Sequence, residues 1–505
     1  MEERESSMIE EMGGASTPRT PLLEKQQGSS YTSAGFLDPF GNSSFMASFT
    51  ADARASITPL LVFSTFVAVC GSFCYGCALG YSSPVESGII EDLGLSVAEY
   101  SLFGSILTIG GISVAIFSGK VTDLIGPVKT MWISELFALA GWIAIAFATN
   151  VWWLYLGRLL VGIGAGVLSY VVPVYVAEIA TKDLRGLLTS TNTLMLCTGL
   201  ALVYCIGNIT SWRVLSLIAA TPSVVQLIGL FFIPESPRWL AKIGRQKECE
   251  ITLKRFRGKY ADVSQELIDI SNALKISQQG PESKIIDLFK RRYAYATIVG
   301  VGLMFLRQIG GNNGITFYAS SIFSDANFST TVGTTSISLI QLPGAIASSL
   351  LMDVLGRRTL LLISSAGTCI FLLLVGLAFY LQDLDYFTEV TPILVFIGMM
   401  GYTILFGIGL SGIPWVIMSE VFPLTVKAPA GSLVTMTNWT CSWIVTFTFN
   451  FMMQWSSPGT FFIFGGVCGL TVLFVCKFVP ETKGRTLEDI QAAMITSSSQ
   501  ALPWL

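Results

Sequence analysis

Amide side chains occur at several places inside long apolar stretches in the second half of the chain. An Asn or Gln side chain both donates and accepts hydrogen bonds, so it suits a neutral ligand that carries many hydroxyl groups. A polar side chain inside an apolar span is costly and usually functional, although it can instead join two helices. The set that stands out, together with one flat aromatic ring, is Gln308, Asn313, Gln341, Asn438 and Trp415.

Other kinds of chemistry are excluded by what the sequence lacks. The chain has no His, which removes the imidazole group that many acid–base catalysts and metal sites use. Its 10 Cys are scattered and most lie in apolar runs, which indicates neither a disulfide framework nor a zinc site. The net charge of −3 excludes a basic nucleic-acid-binding surface, and no nucleophile–base pair or phosphate-binding loop is present. We therefore expect no enzyme activity, no metal and no cofactor.

The elements that position these residues must lie in a lipid bilayer. Hydrophobic residues make up 52% of the chain and charged residues 12%, about half the charged share that is usual in soluble proteins. A bilayer-spanning helix takes roughly 20 apolar residues. We predict an all-α membrane protein with twelve transmembrane helices, near 57–81, 101–119, 131–148, 152–176, 188–207, 214–233, 294–323, 332–352, 359–381, 391–418, 430–453 and 459–479.

Polar segments divide these spans and predict their orientation. The domains that follow are a disordered cytosolic tail (1–56), a six-helix bundle (57–233), cytosolic linker helices (234–293), a second six-helix bundle (294–479) and a C-terminal tail (480–505). The linker alternates apolar and charged residues at helical spacing, which predicts short amphipathic helices. Lys and Arg concentrate in this linker and in the loops of the same side, so we expect both termini in the cytosol.

The two halves repeat the same charged motifs at the cytosolic ends of their spans. Each half has an Asp that is followed, after two intervening residues, by a Gly and then a base, and each has a Glu seven residues before a base. A doubled six-span unit that binds its ligand between the halves is a known transporter architecture. We expect these charges to act as a cytosolic gate that pairs when that side closes: Asp123, Glu178, Arg185, Asp353, Arg357, Arg358, Glu420 and Lys427.

Several longer motifs resemble the sugar porter family of the major facilitator superfamily. Pro-Glu-Ser-Pro-Arg closes the first half at 234–238, and Pro-Glu-Thr-Lys-Gly closes the second at 480–484. Gly-Tyr-Ser-Ser-Pro at 80–84 and Gly-Gly-Asn-Asn-Gly at 310–314 are similar to those of plant early-response-to-dehydration-six-like monosaccharide transporters. The resemblance implies a twelve-helix fold that carries hexoses by alternating access.

The resemblance also assigns sugar contacts, with departures from the usual pattern. Gln308, Asn313, Gln341, Trp415 and Asn438 match the sugar-contacting positions of the family. Thr193 stands where the family usually has Gln, and Arg307 stands where it has the first of two Gln residues. Arg307 lies midway along a span, where an isolated Arg is costly. It is expected to contact a neutral sugar, to cap carbonyl groups freed at Gly310-Gly311, or to favour an anionic or oxidised substrate.

Proton coupling depends on acids within the spans. Proton-coupled members of the resembling family carry an Asp in span 1 near a basic partner in span 4, but this chain has Ala78 with Arg158. Glu135 is the embedded acid that remains away from the gate, and it is expected to reach the cytosolic interface or, alternatively, to couple protons. Facilitated diffusion is therefore the favoured mechanism.

Three functions remain open from the sequence: a passive monosaccharide carrier, a proton-coupled symporter or antiporter, and a sugar receptor that does not transport. The expected partners are a monosaccharide and the lipid bilayer, with no nucleic acid, and the transport unit is expected to be a monomer. Leu22-Leu23 in the tail resembles a weak dileucine sorting signal. The predicted location is therefore the vacuolar membrane or the plasma membrane.

Overall fold

The computed structural model describes residues 58–181, 184–258, 261–279, 285–386, 388–423, 426–485, 489–491 and 494. The side chains of residues 273, 276–279, 291, 349 and 353 are not described. Within these ranges the regular elements are all helical, as predicted. The predicted tail at 1–56 lies outside the described residues, which begin at Thr58.

Eight helices form the first half of the chain, and three short helices follow them in the predicted linker, which we call the insert. The insert ends with a 3₁₀ turn at Ile285–Phe289. The helices are α1 (Pro59–Gly80), α2 (Ser82–Leu93), α3 (Val97–Ala115), α4 (Ser118–Ile125), α5 (Pro127–Ala146), α6 (Val151–Ile179), α7 (Arg185–Gly207), α8 (Trp212–Leu230), α9 (Pro237–Lys242), α10 (Gln246–Arg257) and α11 (Ser264–Gln279).

The second half is built from nine helices. Several of its predicted spans are divided into shorter helices. The helices are α12 (Arg291–Ile309), α13 (Asn312–Phe317), α14 (Ala319–Asp325), α15 (Thr330–Leu355), α16 (Arg357–Asp383), α17 (Thr391–Ile408), α18 (Ile413–Val421), α19 (Lys427–Trp455) and α20 (Ser457–Phe478).

Eleven segments of the described chain are long and apolar enough to cross a membrane. They agree with eleven of the twelve predicted spans. The twelfth prediction, at 430–453, corresponds to α19, which is long enough but carries Asn, Ser and Thr side chains that reduce its hydropathy. Because α19 packs against α3 of the first half, these polar groups lie next to protein as well as lipid.

Local signals in the sequence explain where the helices begin. Thr58 accepts a hydrogen bond from the Leu61 backbone N–H at 3.2 Å, and Pro59 occupies the first helical position of α1. Ser96 and Glu99 cap α3 reciprocally, since each side chain accepts from the backbone N–H of the other. These caps satisfy N–H groups that have no partner inside the helix.

Two predicted spans are interrupted in the middle, which corrects the sequence analysis. The span predicted at 294–323 contains α12, α13 and α14, and Gly311 between the first two has φ of +93°. The span predicted at 391–418 breaks between Ile408 and Ile413. Glycine tolerates such backbone conformations without a steric penalty, and Gly311 also lies against the ring of Phe464, where a Cβ would clash at 2.6 Å.

The two halves contact each other through matching helices. α3 packs on α19, and α7 packs on α15. We call the end of the bundle that carries α9–α11 the insert side, and the end that carries α2 and α14 the far side. The candidate site lies between the halves, around the breaks at Gly311 and at 409–412.

Candidate functional site

Asn438 is the centre of a hydrogen-bond network on the second half. Its Oδ1 accepts from Gln308 Nε2 at 2.6 Å and from Arg307 Nη1 at 3.0 Å. Asn438 and Gln308 are both buried. Gln308 Oε1 is buried without a hydrogen-bond partner among the described residues, so the network has an unused acceptor. A buried acceptor without a partner costs free energy, which a hydroxyl group of a ligand can recover.

Arg307 braces the break in the neighbouring span. Its Nε donates to the Leu410 carbonyl oxygen at 2.8 Å, and its guanidinium lies 5.5 Å from the centre of the Phe406 ring. Leu410 lies between α17 and α18, where the regular helical bonding is interrupted. Of the roles expected for Arg307, capping is therefore observed, but the carbonyl belongs to the break at 409–412 and not to Gly310-Gly311. The sequence did not reveal this because the break in that span was not predicted.

Asn313 lies at the start of α13, directly after the break at Gly311. Its Nδ2 donates to Ser442 on α19, and its Oδ1 accepts from Asn312 Nδ2 at 3.1 Å. The break thus places the Asn313 amide against the same helix that carries Asn438. The sequence analysis did not identify Ser442 and Asn312 as site residues. Ser is common in apolar spans, and Asn312 matched no expected position.

The other three predicted contact residues have no hydrogen bond to this network. Trp415 is half-buried at the start of α18, and Gln341 is half-buried on α15 without a hydrogen-bond partner in the described chain. Thr193 is exposed on α7. It lies eleven residues before Tyr204, which places both on one helix face, and Tyr204 donates to the Thr316 carbonyl of the second half. Thr193 therefore faces the second half.

Trp439, next to Asn438, joins the two halves. Its ring lies against Gly111 of α3, where a Cβ would be 2.6 Å from the ring. The centre of the Trp439 ring lies 6.1 Å from that of the Tyr75 ring. This contact requires the glycine and fixes the side of α19 that faces the first half. Asn438 is consequently held next to the interface between the halves.

Arg158 is fully buried in an aromatic environment and has no acidic partner there. Its Nη2 donates to Ser82, and its Nε and Nη1 have no partner among the described residues. The guanidinium lies 5.3 Å from the Phe103 ring centre and 5.8 Å from that of Tyr81, which are favourable cation–π distances. Ala78 is buried as well. An acid–base pair of the kind that the sequence analysis described for proton-coupled members is therefore not formed around Arg158 in the described residues.

Glu135 is a buried carboxyl group, which corrects the expectation that it reaches the interface. It is 0% exposed, and neither oxygen has a hydrogen-bond partner in the described part of the chain. Ser223 and Cys74 lie beside it but outside hydrogen-bond geometry, and they bond to each other at 3.4 Å. A charge in this position would be strongly disfavoured.

The predicted gate residues of the first half bond within that half and to the insert. Asp123 pairs with Lys242 at 2.8 Å, and the pair is well exposed. Glu178 accepts from Ser236 Oγ at 2.5 Å, whereas Arg185 Nε donates to the Ala177 carbonyl at 3.2 Å.

The predicted gate residues of the second half bond within that half. Arg357 Nη2 lies 3.3 Å from Glu420 Oε1, and Arg358 Nη2 donates to the Cys476 carbonyl at 2.6 Å. Lys427 has no ion pair in the described chain, and the side chain of Asp353 lies outside it. None of the described gate residues reaches across to the other half.

Two further carboxylates complete the repeat and were quoted only as parts of motifs in the sequence analysis. Glu235 accepts from the Val128 backbone N–H at 3.0 Å at the start of α5. Glu481 accepts from the backbone N–H groups of Arg357 and Arg358 at 3.0 and 3.1 Å at the start of α16. A carboxylate is favourable at a helix N-terminus. The Pro-Glu motif that ends each half was the signal for both.

The electrostatic environments of Glu235 and Glu481 differ. Burial raises the pKa of Glu235 above its ordinary value, although bonds from Val128 and Ser236 oppose this. Burial would also raise the pKa of Glu481, but backbone N–H donors from Lys483, Arg357, Arg358 and Thr482 together outweigh it and hold that pKa below its ordinary value.

Comparison with known proteins shows the family. The model of the family described as sugar (and other) transporter matches residues 61–494. Sugar transporter ESL1 of Arabidopsis thaliana is 49% identical over 438 residues, which cover 87% of this chain and 93% of that protein. Sugar transporter ERD6-like 1 of the same plant is 50% identical over 444 residues, which cover 88% and 96% of the two chains.

Solved structures show the same fold. The major facilitator superfamily proton:xylose symporter XylE bound to 6-bromo-6-deoxy-D-glucose aligns with a TM-score of 0.70 and 25% identity over 86% of this chain and 99% of that one. The inward open conformation of the xylose transporter XylE from E. coli aligns with a TM-score of 0.73 and 25% identity over the same shares.

The predicted fold is thereby confirmed, and so is the expectation that the chain is a transporter and not an enzyme. The chain belongs to the sugar transporter family of the major facilitator superfamily, and within it to the ERD6-like group.

Proposed function

We propose that this transporter carries a hexose by facilitated diffusion, with the sugar bound between the two halves by Gln308, Asn313, Gln341, Trp415 and Asn438. The observation that carries the proposal is the network around Asn438, which fixes amides at the break in span 7. It has an unused acceptor at Gln308 Oε1, and the amide of Gln341 has no partner among the described residues.

The proposed site suits weak and reversible binding. Each hydrogen bond between protein and sugar contributes roughly 1 kcal/mol net, because the sugar gives up its bonds to water. Trp415 offers a flat apolar surface for the sugar ring, and Thr193 faces the second half from the first. Arg307 is already bonded to Leu410 and Asn438, which favours a positioning role over recognition of an anionic substrate.

The contacts between the halves support alternating access. On the far side, Tyr204 and Asn208 of the first half bond to Thr316 and Thr334 of the second. The described gate residues on the insert side bond within their own half or to the insert. This pattern corresponds to a conformation that is closed on the far side, from which the charged residues can re-pair across the halves when the insert side closes.

The concentration of Lys and Arg favours a cytosolic insert side and cytosolic termini. The domain boundaries, the monomeric transport unit and the choice between vacuolar and plasma membrane remain predictions.

Two arrangements in the first half bear on the mechanism. Ala78 stands where a coupled carrier would have the acidic partner of Arg158, and the described surroundings of Arg158 are aromatic. This supports facilitated diffusion, because a coupled carrier needs a titrating group in the pathway. Proton coupling is the second candidate, and the buried Glu135 without a partner is the observation that favours it.

Purified protein in sealed liposomes separates these mechanisms. Uptake of labelled glucose, and then of fructose, is followed under an imposed pH gradient with an internal pH dye. We expect sugar to equilibrate without concentrating and without a dye response. Uphill accumulation with proton movement, lost in Glu135→Gln, would establish coupling instead. Binding of labelled sugar without any flux would indicate a receptor.

A further inference from the structure

In the part of the chain that the structure describes, the two halves are joined on the far side by hydrogen bonds of neutral groups, with one exception. Ser83 of α2 bonds to both the hydroxyl and the backbone N–H of Ser320, each at 2.9 Å. The exception is Glu86, one turn further along α2. Among the described residues of the far side, Glu86 provides the carboxyl group that bonds across the boundary between the halves.

Glu86 contacts two separate elements of the second half. Its Oε2 bonds to Ser321 on α14, and its Oε1 accepts from Asn450 Nδ2 on α19 at 3.3 Å. A protonated carboxyl group can keep both contacts, because its O–H can donate to the Ser321 hydroxyl while the other oxygen still accepts from Asn450. Both protonation states therefore fit the geometry, but only one is charged.

The charged and titratable groups around Glu86 do not offset that charge. Asp325 at the end of α14 carries a charge of the same sign, and its repulsion raises the pKa of Glu86. Tyr100 and Tyr318 lie near it on α3 and before α14, and both are neutral at physiological pH.

The nearby cations are engaged elsewhere. Arg158 donates to Ser82 instead of Glu86. Arg213 pairs with Asp92 at 3.0 Å near the other end of α2.

We propose that Glu86 is a positioning residue for the transport cycle, whose protonated carboxyl group holds the far side closed and whose deprotonation favours opening. The proposal rests on the proposed alternating-access function. It adds to that function a sensitivity to the pH of the compartment on the far side. It also explains why Asn450, which matches no sugar-contact position, is a buried amide.

The direction of the pH effect follows from the pKa in each state. Withdrawal from water, with a smaller contribution from Asp325, raises the pKa of Glu86 to about 7 in the closed form against the opposing bonds from Ser321 and Asn450. In the open form Glu86 would be in water with an ordinary pKa of roughly 4.3. The closed form therefore binds the proton more tightly and is favoured by acid.

The pH window follows from the same two values. Between them, each unit of rising pH lowers the closed-to-open ratio by up to about tenfold, and above pH 7 no further change is expected. The proton returns to the side from which it came. It therefore changes the rate of the cycle without driving uphill transport.

Distances between two spin labels across the far side test the proposal. Among the ten cysteines, Cys476 is the exposed one, so labels are placed at Ala98→Cys and Ser324→Cys in a Cys476→Ser background. Between pH 4 and 8.5 we expect the longer distance to become more populated as the pH rises, with the change complete near pH 7. Glu86→Gln should keep the short distance at every pH.

Two variants control this result. Glu91→Gln removes an exposed acid from the same helix and should leave the pH curve unchanged. Asn450→Ala removes a bond that lowers the pKa of Glu86 and should extend the pH-dependent change to higher pH. An unchanged pH curve in Glu86→Gln, or no pH dependence in the native protein, would overturn the proposal.

The label experiment needs no sugar, so it is independent of the transport assay. An intact pH-dependent change without glucose flux would contradict the hexose proposal and support the role of Glu86. Glucose flux without a pH-dependent change would support the hexose proposal and contradict that role.

Discussion

At the scale of single residues, Arg307 connects the binding network to the break in span 10. It donates to the Leu410 carbonyl and to Asn438. Arg307→Leu removes both bonds, and since a charged donor contributes about 1.5–3 kcal/mol, we expect glucose transport to fall roughly ten- to a hundredfold. Arg307→Gln keeps one amide donor without the charge and should retain more activity than Leu. Uptake in liposomes at equal protein content measures this. Equal activity of the Leu variant and the native protein would contradict the role of Arg307.

Trp415 and Asn313 test the assignment of the sugar site itself. Trp415→Ala removes the aromatic surface, and Asn313→Ala removes the amide bonded to Ser442. We expect each to reduce glucose flux by about tenfold, which corresponds to roughly 1.4 kcal/mol, while the protein remains folded by thermal unfolding in detergent. Trp415→Phe keeps an aromatic ring and serves as the matched control for size. Normal flux in both Ala variants would remove these residues from the site.

The candidate site residues were identified from the sequence because amides stand out in apolar spans. Their partners were harder to predict. The carbonyl of Leu410 becomes available only because the helix breaks nearby, and such a break is a property of the backbone. Glu86 was missed for a different reason, since it lies beyond the predicted end of span 1, where an acid is expected to be solvated. Only the packing of α2 against α14 reveals its environment.

At the scale of helices, Glu235 and Glu481 occupy equivalent places in the repeat but differ in charge stabilisation. The pKa of Glu481 is lowered by backbone donors that outweigh its burial, so its charged form stabilises the fold above its ordinary pKa. That contribution is lost as pH falls through the lowered pKa. The pKa of Glu235 is raised by burial, so its charge at neutral pH is unfavourable relative to water.

We therefore expect Glu481→Gln to lower the unfolding temperature at pH 7 by about 1–3 °C, given a loss of roughly 1–3 kcal/mol. Glu235→Gln should change it less. Thermal unfolding of both variants in detergent at pH 7 and near pH 4 measures this, and the deficit of Glu481→Gln should shrink in acid. A larger loss in Glu235→Gln at pH 7 would contradict the assignment.

The helices were largely predictable from the sequence, since apolar runs of sufficient length located the spans, including the less apolar α19. The breaks were less predictable. Gly310-Gly311 were recognised as weakening their helix, but the interruption at 409–412 has no comparable pair of adjacent glycines. A carbonyl group in this interruption, that of Leu410, accepts a hydrogen bond from Arg307, which lies 103 residues away in sequence. Long-range contacts of this kind are not encoded in local propensity.

At the scale of the whole molecule, the proposed alternating-access cycle makes closure of the far side depend on a few bonds between the halves. Tyr204 donates to the Thr316 carbonyl and Asn208 to Thr334. Each bond contributes about 1 kcal/mol net, so together they favour closure of the far side by roughly thirtyfold. A bistable bundle responds to differences of this size.

The double variant Tyr204→Phe with Asn208→Ala should therefore shift the population towards opening on the far side by about ten- to thirtyfold. The label pair at Ala98→Cys and Ser324→Cys measures the shift at fixed pH. Tyr155→Phe is the matched control, because the Tyr155 hydroxyl bonds to the Glu99 carbonyl within the first half at 3.1 Å and its loss should leave the distances unchanged. If the control shifted the distances as much as the double variant, closure would depend on the stability of the first half and not on bonds between the halves.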